Sequence, residues 1–317
     1  MRHLLLTLTN GISALTKLSS ARRSQKITSN LLILLALATL LPSLAQAYDI
    51  LVLQSRRDPA YEEALRGFRA ANNASQRTIV LSDYAEVDVV RIVREDRPRM
   101  ILAVGDSAMT ATHNIRSTPV VALMALGIYK QSSTHNNLTG VGMYVSPERY
   151  IGIFKAMKTR RVGVIYSQAK SGWYMRQARQ AAGAAGIELV LREVSVPRET
   201  IDKLAALDGK VDALWMLPDS TAITRETAEA YFRFGQEQNV PIVSFAANYL
   251  GLGAAAVLEI DRIAMGRQAG TMTTELLNGN HIENMPLDFP KGIRLKINSS
   301  VLKRLSVVVN EDDSPLQ

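Results

Sequence analysis

Short apolar runs rich in β-forming residues alternate along this chain with longer stretches that are apolar on one helical face only. Tyr48 to Leu53 (YDILVL), Thr78 to Leu81, Met100 to Val104 (MILAV) and Pro119 to Met124 read as strands. Between them, Pro59 to Asn72 places Leu65 and Phe68 on one helical face, and Val87 to Arg97 places Val89, Val90 and Val93 on another. The pattern then repeats. Arg161 to Tyr166 (RVGVIY), Ile187 to Val194, Val211 to Leu217 (VDALWML) and Pro241 to Phe245 read as strands, separated by helices at Met175 to Ala185, Glu199 to Leu207 and Arg225 to Gln238. Gly186 ends the first of these helices as a C-terminal glycine commonly does. Strands alternating with helices join through right-handed crossovers into parallel sheets covered on both faces. The predicted fold is therefore α/β, with two doubly wound lobes.

The segment between the halves, Asn137 to Tyr150 (NLTGVGMYVSPERY), reads as a hinge, and a hinge between two such lobes implies a ligand cleft. Asp261 to Leu277 reads as one further long helix closed by Asn278-Gly279, Ile293 to Ile297 as a last strand, and Asn310 onward as a polar tail. Gly251-Leu252-Gly253 reads as a turn between strands. The expected division is residues 48–142 plus about 260–282 in the first lobe, and 143–259 plus about 283–317 in the second.

Residues 1–47 have a different character. Arg2, Lys17, Arg22, Arg23 and Lys26 precede an apolar run, Leu31 to Leu41, with no acidic residue. Pro42 then breaks any helix, and Ala45-Gln46-Ala47 offers small residues for a signal peptidase. A run of about 11 residues is short of the roughly 20 that a spanning helix needs, so a leader cleaved after Ala47 is expected, with export to the periplasm. The Arg22-Arg23 pair also suggests a twin-arginine signal, although Ser24-Gln25-Lys26 continues it poorly.

Export changes the meaning of the charge. The formal +8 of the 317 residues falls to 32 basic against 29 acidic residues, or +3, once the five basic residues of the leader are removed. No basic stripe with interleaved aromatics remains, so no nucleic-acid partner is expected. The chain has no cysteine, which excludes disulfides, thiolate metal sites and a lipid-bearing N-terminal Cys. Beyond the leader the histidines are His113, His135 and His281, too scattered for a metal site. No metal and no cofactor are expected.

Several segments, taken in order, resemble the ABC-transporter substrate-binding proteins of the tryptophan/tyrosine-type family. They are NLTGV at Asn137 to Val141, SPER at Ser146 to Arg149, RRVGVIY ending at Tyr166, GKVDALWMLPD at Gly209 to Asp219, VPI at Val240 to Ile242, and GRQAG at Gly266 to Gly270 followed by LLNG. The resemblance covers almost all of Tyr48 to Leu305. It implies a type I periplasmic-binding fold and a solute receptor whose lobes close over one small molecule and deliver it to an inner-membrane ABC permease. A monomer is expected.

In open parallel sheets, ligands sit outside the carboxyl ends of the strands, so candidate residues are those that follow each strand. After the first come Gln54, Ser55 and Arg56, either ligand contacts or a solvated turn ahead of Asp58-Pro59. After the third come Gly105, Asp106 and Ser107, where a helix start offers hydroxyl and N–H donors to a carboxylate, or is simply capped. Ser171, Gly172 and Trp173 open a second-lobe helix; the first two could donate to a ligand and the Trp could cover its apolar part or pack the lobe. Asp219, followed by Ser220, lies just past a buried strand, where it either binds a ligand ammonium or caps the next helix, and the resemblance supports its place in the pocket. Phe245, Asn248 and Tyr249 follow the next strand in the same way. The ligand expected from this set is an amino acid or similar zwitterion, its carboxylate toward Ser107 and its ammonium toward Asp219. The chain departs from the family pattern at Met124 to Ser133, where an Asp-Pro-containing segment is usual, and at Lys170 and Trp173, which make the second-lobe loop bulky.

Two other classes compete. Gly105-Asp106-Ser107 is similar to the start of one esterase family, but no histidine beyond the leader has Asp three residues before it, so the serine lacks its base. No G-x-S-x-G, Walker loop, H-E-x-x-H or helix-opening G-x-G-x-x-G is present either, and no catalytic activity is expected. A receptor domain that reports closure to a membrane kinase would use the same mechanism as a transport receptor. N-terminal sequencing of the exported protein is expected to begin at Tyr48; a mature chain that keeps Leu31 to Leu41 would mean an anchor in place of a cleaved leader.

Overall fold

The structure is a computed structural model that describes residues 48–132 and 136–307. The leader, His135 and the tail from Asn310 lie outside the described residues. In the first lobe the chain runs β1 (Ile50–Gln54), α1 (Pro59–Ala71), β2 (Gln76–Val80), α2 (Val89–Asp96), β3 (Met100–Val104), α3 (Asp106–Ala111), β4 (Val120–Leu123), α4 (Ile128–Ser132) and β5 (Leu138–Val141). The strands form a parallel sheet in the order β2-β1-β3-β4-β5. In the second lobe come α5 (Pro147–Ala156), β6 (Arg161–Tyr166), α6 (Gln168–Ala184), β7 (Glu188–Glu193), α7 (Glu199–Ala205), β8 (Ala213–Trp215), α8 (Arg225–Glu237), β9 (Ile242–Ser244), α9 (Asn248–Leu252) and β10 (Ala256–Ile260). The chain returns to the first lobe as α10 (Arg262–Leu277), then finishes on the second with β11 (Ile293–Ile297) and α11 (Ser299–Arg304). The second sheet has the order β11-β10-β9-β8-β6-β7, parallel throughout except for the antiparallel β10–β11 pair.

Each sheet is buried on both faces, which is why its strands read as continuous apolar runs rather than alternating ones. On the first lobe, α1 and α10 cover one face through Leu65, Phe68 and Met265, while α2, α3 and α4 cover the other through Val93, Met109 and Ile128. On the second, α5, α6 and α11 cover one face through Phe154, Met175 and Leu302, and α7, α8 and α9 lie over the other. Helix starts follow the sequence signals: Asp58, Asp88, Asp261 and Asn298 each accept a backbone N–H of the first turn. The Ala264 amide first, and Arg294 after it, hold the Asp261 carboxyl below the usual carboxylate range.

Four local differences from the sequence reading have physical reasons. The hinge segment holds both β5 and the first turn of α5, with Pro147 and Glu148 placed as helix-opening residues. Helix α6 begins at Gln168, ahead of the expected Met175, because Ser167 and Ser171 are tied to a buried carboxylate described below. Gly251 and Leu252 belong to the short α9, and Gly253, at φ 113°, is the left-handed residue that ends it. The first lobe keeps the chain as far as Asp288, beyond the border drawn near residue 283: Asp288 N donates to Gly140 O at 3.0 Å and Gly142 N to Asp288 O at 3.0 Å, extending the β5 edge.

Three segments cross between the lobes, at residues 142–146, at the β10–α10 junction and after Asp288. Besides its side-chain packing, α10 meets α1 through close backbone contact. A Cβ on Gly67 would overlap the Ile263 carbonyl, one on Gly266 would overlap the Ala64 carbonyl, and one on Gly270 would come 2.8 Å from Phe68 O. These helices meet without intervening side chains. Gly266→Ala is therefore expected to destabilise the fold by about 2–4 kcal/mol, at or beyond the upper end of overpacking costs because the obstacle is backbone. Thermal unfolding of the variant measures this, and an unchanged midpoint would refute the close crossing.

Candidate functional site

The carboxyl ends of both sheets face each other across a cleft, and the loops that follow β3, β4, β6, β8 and β9 line it. The cleft holds two adjoining chambers that share Leu126 and Pro218. The larger, about 340 Å³, is walled by Asp106, Leu126, Gly127 and Lys130 of the first lobe, by Ala169, Lys170, Trp173, Pro218 and Ser220 of the second, and by Tyr144 of the first crossing. The smaller, about 200 Å³, lies toward the crossings and is mostly apolar, with Met124, Met143, Val145, Phe245, Leu258 and Ile260 among its walls. The larger is within the size range of small-molecule sites.

One buried carboxylate fixes the second-lobe wall. Asp219 is 1% exposed. Its Oδ2 accepts Ser167 N at 2.8 Å and the Ser171 hydroxyl, and its Oδ1 accepts Thr221 N at 2.9 Å and Ala222 N at 3.1 Å. Four donors compensate a charge that burial would otherwise make costly. They also tie the first turn of α6, which carries Lys170 and Trp173, to the loop after β8, which carries Pro218 and Ser220. Asp219 is thus a brace beneath the chamber wall, in place of the ammonium contact expected from the sequence.

Asp106 does a similar job in the first lobe. Its Oδ1 accepts Gly127 N at 2.7 Å and its Oδ2 accepts Leu126 N at 3.3 Å, which sets the loop after β4 against the start of α3. Gly105, at φ 89°, lets the backbone pass where a Cβ would overlap the Tyr61 hydroxyl.

An aromatic cluster joins the lobes beside the larger chamber. Tyr129 from α4 stacks on Trp173 from α6, with ring centroids 3.8 Å apart and planes 20° apart. Tyr144 meets the Trp173 ring edge-on at 5.2 Å, and Phe289 lies 5.8 Å from Tyr129. A side chain on Gly142 would overlap the Tyr129 ring, so that glycine lets Tyr129 lie against the crossing segment. Tyr144 donates its hydroxyl to Pro218 O at 3.3 Å. Burial first, with neighbouring negative charge second, pushes the Tyr129 and Tyr144 hydroxyls far above their ordinary value. Both are neutral at any physiological pH.

Of the residues singled out from the sequence, Asp106, Trp173 and Ser220 meet around the larger chamber and Phe245 lines the smaller one. The others lie elsewhere. Gln54 is buried and donates to Glu62 at 3.2 Å, Ser55 bridges Val104 O and Ala108 N, and Arg56 is exposed and paired with Asp58 at 2.7 Å. This triplet consolidates the first lobe. Ser171 is buried beneath the wall, holding Asp219, and Gly172 packs against the Gln168 side chain. Ser107 and Asn248 are exposed and line neither chamber. The sequence reading missed Leu126, Gly127, Lys130, Tyr144 and Lys170 as wall residues. The first three follow β4, so the strand-end rule itself points to them. No group of three metal-ligating side chains occurs among the described residues, and none of their helices is long and apolar enough to cross a membrane.

Two lobes of opposed parallel sheets, three crossings and a cleft walled from both sides define a two-lobed binding protein of the type I periplasmic-binding kind. Residues 68–314 match the family described as ABC transporter substrate binding protein, and the chain belongs to that family. A tyrosine-binding protein of Clostridioides difficile (strain R20291) is 24% identical over 223 residues, which are 67% of this chain and 64% of that relative's length. Among solved structures, the ABC domain from Streptococcus pneumonia in complex with L-Trp aligns with a TM-score of 0.60 at 18% identity, over 83% of this chain and 96% of that one. A ligand-free, open substrate-binding protein with adhesive properties from Clostridium difficile aligns with a TM-score of 0.65 at 18% identity, over 84% and 97%. At these identities the solved structures establish the fold alone.

Asp219→Asn places an amide NH₂ where two N–H or O–H donors now converge. Each buried donor left without an acceptor costs about 1–3 kcal/mol, so a loss of roughly 3 kcal/mol in stability is expected, seen as a fall of about 5–10 °C in Tm. A variant with unchanged Tm but weakened ligand binding would return Asp219 to the ligand.

Proposed function

We propose that this protein is the solute-capturing component of an ABC importer, exported to the periplasm with its leader removed after Ala47, and that it works without catalysis. The observation that carries the reading is the larger chamber, whose walls come from both lobes: Asp106, Gly127 and Lys130 on one side, Lys170, Trp173 and Ser220 on the other. A ligand held there touches both lobes only when they are closed. It therefore stabilises the closed state by its preferential affinity for it, and a permease that recognises closure receives only loaded protein. The ligand is an amino acid or a similar small solute. Family membership supports the transport role, and the tyrosine named for one relative and the L-Trp bound in another support the solute class.

The test is a thermal-shift screen of Tyr48 to Gln317 against amino acids, short peptides, nucleosides and sugars, with p-nitrophenyl ester hydrolysis assayed alongside. Saturable stabilisation by one compound class is expected, rising by about 2.7 kcal/mol at a hundredfold excess over Kd, with no ester turnover. Turnover that disappears in Ser107→Ala, with no stabilising solute, would overturn the reading.

A further inference from the structure

The stack of Tyr129 on Trp173 is made wholly by the protein's own side chains, one from each lobe, with ring centroids 3.8 Å apart. Tyr129 lies in the stretch that carries the first-lobe wall residues Gly127 and Lys130, and Trp173 in the stretch that carries Lys170. Parting those walls to admit a solute therefore parts the two rings. Tyr129 itself lines neither chamber: its ring lies against Trp173 and against the crossing segment at Gly142, where an added Cβ would overlap it. Tyr144 and Phe289, both on crossing segments, flank the same pair. An aromatic pair shifts an equilibrium by roughly two- to tenfold beyond what its buried area contributes. Because this pair forms only when the lobes are together, that factor falls on the open–closed equilibrium itself and is the same whatever solute follows.

We propose that Tyr129 is a positioning residue for closure: through its stack on Trp173 it raises the fraction of unliganded protein whose lobes are together, without touching the solute. The consequence for binding rests on the solute-capture reading above. Apparent affinity scales with the fraction of protein already in the binding-competent form, so the stack strengthens the capture of every solute that takes the closed form by one common factor. Trp173 then has two faces of use, one held by Tyr129 and the rest of the ring forming part of the larger chamber's wall.

The chain has no cysteine, so Ala85→Cys and Arg198→Cys, exposed on the loops after β2 and β7, accept one spin label on each lobe. Double electron–electron resonance then reads the interlobe distance in Tyr48 to Gln317, refolded from guanidinium chloride to strip any carried solute. A short-distance, closed population is expected in the unliganded protein. Tyr129→Leu keeps apolar bulk beside Gly142 but cannot stack, and is expected to lower the closed-to-open ratio roughly two- to tenfold. Tyr129→Phe keeps the ring and should keep the ratio. Trp173→Leu removes the same contact from the other lobe, and adding Tyr129→Leu to it should lower the ratio no further. Thermal unfolding confirms that each variant is folded. The proposal is overturned by an unliganded protein with no closed population, by a ratio that Tyr129→Leu leaves unchanged or Tyr129→Phe lowers as far, or by losses from the two leucine variants that add in full. No solute enters this measurement, so its outcome is separate from the thermal-shift screen, where stabilisation by no compound class would remove the capture reading alone.

Discussion

The second-lobe wall depends on one buried carboxylate. Asp219 sits past the end of a strand whose residues are fully enclosed, and water cannot satisfy it there. Its four hydrogen bonds come from two separate stretches of chain, the Ser167–Ser171 turn and the Thr221–Ala222 turn. Because a buried charge tolerates no missing donor, neither stretch can move independently of the other. The two stretches that carry Lys170, Trp173, Pro218 and Ser220 are thereby held as one surface. Such an arrangement suits a binding wall, because the bonds that fix it lie beneath the chamber surface.

The first lobe reaches the same end by other means. Asp106 aligns the loop after β4, and the glycine contacts between α1 and α10 fix the returning helix against the body of the lobe. Since α10 begins directly after the β10 crossing, its tight seating anchors one of the three crossings on the first-lobe side. The first crossing is anchored by Tyr129 lying against Gly142, and the last by Asp288 along the β5 edge. Each crossing thus leaves a first-lobe anchor made of close packing or backbone hydrogen bonds.

The sequence showed the lobes clearly because doubly covered parallel strands are continuous apolar runs and their helices are amphipathic, two periods that are hard to confuse at this length. It showed less where one short segment had to serve two elements, as between Leu138 and Tyr150, where a four-residue strand, a crossing and a helix start follow one another. Glycines of the GRQAG segment were visible, but their reason, backbone against backbone at Gly266 and Gly270, depends on which helix lies opposite. The site was partly legible. Asp106, Trp173 and Ser220 follow from the strand-end rule, and Lys130 and Tyr129 follow from the same rule applied to β4. Asp219 was ambiguous in principle, because a carboxylate after a buried strand looks the same whether its donors belong to a ligand or to the protein. Only the positions of Ser167 and Ser171, distant in sequence, decide between them.

The stack of Tyr129 on Trp173 bears on how such a cleft achieves selectivity. Ring stacking and apolar burial between the lobes favour closure with little regard to what lies between them. A receptor that relied on this contact alone would close on any solute that fitted, or on none. Discrimination must come from groups that favour closure only when compensated, and charges serve this purpose because leaving one unmatched in a low-dielectric recess is penalised. Both lobes bring polar groups to the same chamber, Asp106 and Lys130 from one side and Lys170 and Ser220 from the other, beside the Tyr129–Trp173 stack. The aromatic contact supplies attraction that is indifferent to the solute, so on the solute-capture reading the polar groups of the two walls have to supply the discrimination.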